Sequence, residues 1–140
     1  MYSAEDIAAY IVNRCIDNRR PITNLQLQKI LYLCQLAYHR FTDASLFEDD
    51  FEARQYGPVV PSVYRMFSLF GGMKINRFVP EEVDIDPDTK DFLNILADKY
   101  SGYSPLDLTA VMHQNDDAWE QTFQGGEGDG KVIPKELMFA

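Results

Sequence analysis

The stretch that decides the fold is residues 23–41, TNLQLQKILYLCQLAYHRF. Leu25, Leu27, Ile30, Leu31, Leu33, Cys34, Leu36, Ala37 and Phe41 place apolar side chains on nearly every side of one helix. A helix that is hydrophobic all round lies in the middle of a domain. Thr23 followed by Gln26 is a capping box that starts it. Its polar positions are few: Asn24, Gln28, Lys29, Gln35 and His39. A buried ammonium such as that of Lys29 needs a partner or gives up its charge. The rest of the chain must therefore wrap this helix and supply that partner.

A second block lies about thirty residues on, Tyr56-Gly57-Pro58-Val59-Val60-Pro61-Ser62-Val63-Tyr64. Gly57 can take backbone angles closed to other residues. Pro58 fixes its own φ and pushes Gly57 away from the helical region. The block reads as a rigid elbow. Pro61 suits the first turn of a helix carrying Val63, Tyr64, Phe67 and Phe70, closed by Gly71-Gly72.

Working outward, Ser3 with Asp6 caps a first helix bearing Ile7, Ala8, Ile11, Val12 and Cys15. Asn18 to Pro21 ends it. Residues 51–56 read as a short strand, with 74–79 as the expected partner in a small sheet. Asp86-Pro87 and Ser104-Pro105 each start a helix. The first carries Phe92, Leu93, Leu96 and Tyr100; the second carries Leu108, Val111 and Met112. Asn115 or Asp116 caps a short helix with Trp119 and Phe123. Residues 125–130 read as a flexible Gly-rich segment, and Pro134 starts a final turn. The expectation is one compact helical domain over 1–140, mainly α, with a buried central helix and at most a small β hairpin.

The 140 residues suit one core. No apolar run approaches the roughly 20 residues of a membrane span. The start of the chain has no basic stretch and carries Glu5 and Asp6, so no signal peptide is expected. Two cysteines in helical patterns, Cys15 and Cys34, read as buried thiols of a cytoplasmic protein. The net charge of −9 is uneven, near +1 over residues 1–79 and −10 over 80–140. Such acidity argues against nucleic acid as the main partner. It suits a basic protein surface met by Asp84, Asp86, Asp88, Asp91, Asp116 or Asp117, or it is simply a solvated face.

Catalytic signals are weak. Residues 125–131 match seven positions of a phosphate-binding loop, but Val132 stands where Ser or Thr must hold Mg²⁺. Glu127 and Asp129 would repel phosphates, so a plain connection is the better reading. His39, His113, Cys15 and Cys34 show no metal-ligand spacing, and no cofactor is called for. Two roles remain open for Gln28 and Lys29. One is an internal network tying the elbow to the core; the other is a polar pocket that Gln28, Lys29, Tyr56 and His113 would line for a small molecule.

At these blocks the chain resembles the Panacea domain family of SocA-like antitoxins. The family pattern Thr-Asn-Leu-x-Leu-Gln-Lys-Leu-Leu-Tyr stands here as Thr23–Tyr32, with Ile30 for the usual Leu. The pattern Ala-x-x-Tyr-Gly-Pro-Val-x-Pro-x-Val-Tyr stands as Ala53–Tyr64. A third block, His before Pro-Trp, is similar to His113 with Ala118-Trp119, lacking the proline. The resemblance implies a non-enzymatic bacterial or phage antitoxin that neutralises a cognate toxin by direct contact. A protease-adaptor role is known in one member class, and some members are prophage proteins, so a host factor is an alternative partner. Asn24, Gln28, Lys29, Tyr32, Tyr56, Gly57, Pro58, Val59, Pro61, Tyr64, His113 and Trp119 are the motif residues that would carry fold or contact.

Overall fold

The structure, a computed structural model, describes residues 1–140. It is mainly α, 57% helical, with one small antiparallel hairpin. The elements run α1 (Ala4–Asp17), α2 (Asn24–Thr42), β1 (Glu52–Arg54), β2 (Gly57–Val59), α3 (Pro61–Met66), a 3-10 turn (Ser68–Phe70), α4 (Pro87–Tyr100), α5 (Pro105–Asn115), α6 (Ala118–Phe123), a second 3-10 turn (Gln124–Gly126) and α7 (Lys135–Met138).

Capping chemistry sets the helix starts. Ser3 and Asp6 form a reciprocal box at α1, and Thr23 and Gln26 form another at α2. Asp86 accepts the Thr89 N–H at α4, and Ser104 accepts that of Asp107 at α5. The central helix is the hub. From Gln26 to Leu36 every residue of α2 is buried, and α1, α3, α4, α5 and the hairpin all pack on it. Phe41, expected among its buried residues, is 81% exposed. Beyond Leu36 the helix runs out past the elements that cover it, and its last turn faces solvent. Outside the hub, Arg14 forks onto Asp98 through two hydrogen bonds of 3.0 and 2.7 Å, clasping α1 to α4.

The hairpin corrects the expected sheet. β1 pairs not with 74–79 but with β2, inside the elbow: Glu52 faces Val59, Ala53 faces Pro58 and Arg54 faces Gly57. Reversal over only Gln55 and Tyr56 makes this pairing local, so little loop entropy opposes it. Pro58 is tolerated because the Ala53 carbonyl opposite it needs no donor from Pro58: it points the other way and accepts the Gly130 N–H at 2.7 Å, while the Ala53 N–H donates to the Lys131 carbonyl at 2.8 Å. The tail thus covers the second edge of β1, with Gly130 N–H on the Ala53 carbonyl and Ile133 N–H on that of Phe51. Lys74 makes only an isolated bridge to Thr23. Buried Ile75 anchors that segment, its N–H bonding the Ile22 carbonyl at 2.8 Å.

Candidate functional site: the elbow and its cleft

The two sequence blocks meet face to face. Gln28 is fully buried, and each of its two polar side-chain atoms has a partner. Its Oε1 accepts the Val60 N–H at 2.9 Å, and its Nε2 donates to Asn24 Oδ1 at 3.0 Å. Asn24 Nδ2 in turn donates to the Tyr64 carbonyl at 3.0 Å. Val60 is the cap residue of α3 and has no side-chain oxygen to offer. Asn24 and Gln28 therefore hold both ends of the turn that Pro61 opens. Val59 is buried in β2, and Val63 is buried beneath α3.

One turn position further round α2, Lys29 is only 3% exposed. Its ammonium donates to the Tyr56 carbonyl. Gly57 passes directly over it with φ +121°, and a Cβ there would stand 2.8 Å from Nζ. Glycine is needed at this position for both the backbone angle and the room. Burial pushes the Lys29 pKa down from its ordinary value to about 8.

Tyr32, one turn along α2 from Gln28, reaches the third block. Its hydroxyl donates to the Asp116 carboxylate, 3.1 Å from either oxygen. Burial, with Asp116 beside it, pushes the Tyr32 pKa up. Burial likewise raises the Asp116 pKa, while the Ala118 N–H and the Tyr32 hydroxyl pull it back. Asp116 Oδ1 takes the Ala118 N–H at 2.7 Å, ahead of Asp117 at the cap position of α6. Trp119 then donates Nε1–H to the Arg54 carbonyl of β1 at 2.8 Å and stacks on Phe123, centroids 5.0 Å apart. His113 stands outside this network, its Nδ1 3.0 Å from Glu120.

The polar pocket of Gln28, Lys29, Tyr56 and His113 is therefore only half assembled. Gln28 is engaged inside the fold, and His113 does not line the cleft, though its ring lies 6.2 Å from that of Trp119. Lys29 and Tyr56 do line an open cleft of about 260 Å³ between the elbow and α5. Its other walls are Leu25, Gln55, Gly57, Pro105, Leu106, Thr109, Met112 and Trp119. Tyr56 is 67% exposed and Leu106 79% exposed at its rim. Sequence reasoning did not foresee Pro105, Leu106 and Met112 here; an exposed Leu at the second position of α5 was the one signal available. Tyr64 lies on the outer face of α3, half exposed.

Of the acids that the charge distribution nominated for a basic partner, four have partners within the fold: Asp84 pairs with Lys90 at 3.3 Å, and Asp117 accepts the Gln121 side-chain amide at 2.8 Å. Asp86 takes the Tyr2 hydroxyl at 2.7 Å and caps α4, and Asp116 is engaged as described. No helix is long and apolar enough to cross a membrane.

A family model described as antitoxin SocA-like, Panacea domain, matches residues 27–120, from the buried helix through the elbow to Trp119. Among curated proteins, Antitoxin SocA of Caulobacter vibrioides (strain NA1000 / CB15N) is 28% identical over 133 residues. The match covers 87% of this chain and 71% of that protein. No solved structure matches. The family match spans well over half of the chain, from Leu27 within the first block through the whole of the second, so the chain belongs to the antitoxin SocA-like, Panacea domain family.

Proposed function

We propose that this protein is a cytoplasmic antitoxin that neutralises a toxin protein by direct binding, without chemistry of its own. Family membership carries the reading, and the surface supports it. The motif residues Asn24, Gln28, Val59 and Pro61 are used in holding the elbow. Beside the elbow the cleft presents an aromatic and aliphatic rim: Tyr56 of the elbow itself, Leu106 of α5 and Trp119 of α6. Rims of this kind, rich in Tyr and Trp, are where binding energy concentrates in protein interfaces. A stable complex would bury on the order of 800 Å² of this chain, several times the mouth of the cleft, so flanking surface joins the contact.

The test is expression of the neighbouring reading frame, alone and together with this chain. The expected result is growth arrest by the neighbour alone and recovery when both are made. Harmlessness of the neighbour, or arrest that this chain does not relieve, would overturn the assignment. The rival, a small-molecule site, has in its favour only Lys29 and Tyr56 at the cleft. A metabolite that raised the melting temperature of wild type but not of Lys29→Met would favour it.

A further inference from the structure

We infer that the cleft between the elbow and α5 takes an acidic-apolar segment of the partner protein, an Asp or Glu carboxylate set against Lys29 with a large apolar neighbour lodged between Leu106, Met112 and Trp119. The inference rests on the antitoxin reading and names the chemistry of the contact.

Three observations lead to it. Lys29 is the one charged residue among the ten that line the cleft, and none of the ten is acidic. In a chain of net charge −9 this is a local reversal of sign, and a carboxylate approaching here meets a cation without a competing acid in the walls. Second, the ammonium has three N–H donors, and the fold supplies one acceptor, the Tyr56 carbonyl. A charge this deeply buried gains most from a charged acceptor. Third, no side chain stands between the cleft and the ammonium at Gly57, where a Cβ would begin 2.8 Å from Nζ, and Lys29 lines the cleft beside it. The walls around this single cation are otherwise apolar or neutral: Leu25, Leu106 and Met112 with the rings of Tyr56 and Trp119. A lone carboxylate would leave those walls wet. A carboxylate beside a leucine-sized side chain would satisfy both parts.

The experiment uses two capped peptides, acetyl-Leu-Asp-Leu-amide and its neutral twin acetyl-Leu-Asn-Leu-amide, titrated into the full chain. Trp119 is the only tryptophan and lines the cleft, so its fluorescence reports occupancy. Amide shifts of Tyr56 and Gly57 locate it. The expected result is binding of the Asp peptide about tenfold tighter than the Asn peptide, about 1.4 kcal/mol of discrimination. Lys29→Met should abolish that preference. Leu106→Asp, at a rim position that burdens folding little, should weaken both peptides and the Asp peptide more. Equal affinity for the two peptides, no response at millimolar peptide, or an unchanged preference in folded Lys29→Met would each overturn the inference. Should Lys29→Met be unfolded, Leu106→Asp decides it: an undiminished Asp preference there rejects the cleft. The titration uses no toxin, so its failure leaves the antitoxin reading standing. Failure of the co-expression test leaves the titration result intact.

Discussion

Replacing Gly57 by alanine adds one carbon atom and tests the junction of the two blocks. Two costs follow from the geometry. Gly57 has φ +121°, where an L-residue is strained by about 1–3 kcal/mol. The new Cβ would also stand 2.8 Å from Lys29 Nζ. Displacing the ammonium from the Tyr56 carbonyl forfeits a charged hydrogen bond of about 1.5–3 kcal/mol. Together the loss is roughly 2.5–6 kcal/mol. At an unfolding entropy of about 2.1 cal/mol/K per residue, each kcal/mol moves the midpoint of a chain this long by about 3.5 °C. Gly57→Ala should therefore lower Tm by roughly 9–21 °C in a thermal melt followed by circular dichroism. Gly72→Ala is the control, since Gly72 has no atom within 4 Å and no positive φ. It should stay within about 2 °C of wild type, as a surface substitution does. Gly71→Ala separates the two costs, because Gly71 has φ +55° and open space; it should fall between the others. On a Lys29→Met background the cost of Gly57→Ala should shrink, since the obstructed ammonium is gone. Equal midpoints for Gly57→Ala and Gly72→Ala would refute the reasoning, and with it the claim that glycine is there to let the elbow close on Lys29.

Three further outcomes follow from the same structure. Gln28→Leu keeps the volume but leaves the buried Val60 N–H without a partner and breaks the link to Asn24; urea unfolding should show about 2–4 kcal/mol lost. Lys29 binds its proton less readily in the fold, where burial lowers its pKa to about 8, than in the unfolded chain at 10.5. The folded state therefore gains on the unfolded one as pH rises from about 8 toward 10.5. The stability of Lys29→Met minus that of wild type should decrease over that window, and a flat difference would contradict the burial argument. Asp86 shows the opposite case: the Tyr2 hydroxyl and Thr89 hold its pKa down near 2. Its stabilising share is present above the usual carboxylate range and lost as pH falls toward 2. Asp86→Ala should melt below wild type at pH 7, and the gap should close between pH 4 and pH 2.

Helix starts were legible in the sequence because capping is local: Ser3 with Asp6 and Thr23 with Gln26 lie three residues apart and bond each other. The burial of α2 was legible because its apolar residues leave no wet face. That the rest of the chain would supply Lys29 with a partner was legible, since a buried ammonium must find an acceptor close by. The hairpin partner was not, because Pro58 argues against a strand until the tail is known to supply the Ala53 carbonyl with the Gly130 N–H. The cleft walls were hidden for a different reason. Leu106 and Met112 reach Lys29 only through the packing of α5 on α2, and Trp119 is fixed by a carbonyl sixty-five positions away. Neither relation leaves a spacing that can be read along the chain.

Rescue of growth by cleft variants tests the central claim most directly. The neighbouring reading frame would be co-expressed with wild type, with Leu106→Arg at the cleft rim, and with Ile95→Arg on α4, a comparably exposed apolar position at 68%. All three proteins would first be matched for melting temperature and abundance. The account predicts recovery with wild type and Ile95→Arg, and continued arrest with Leu106→Arg. Full recovery with folded Leu106→Arg would contradict it and move the contact away from the elbow cleft.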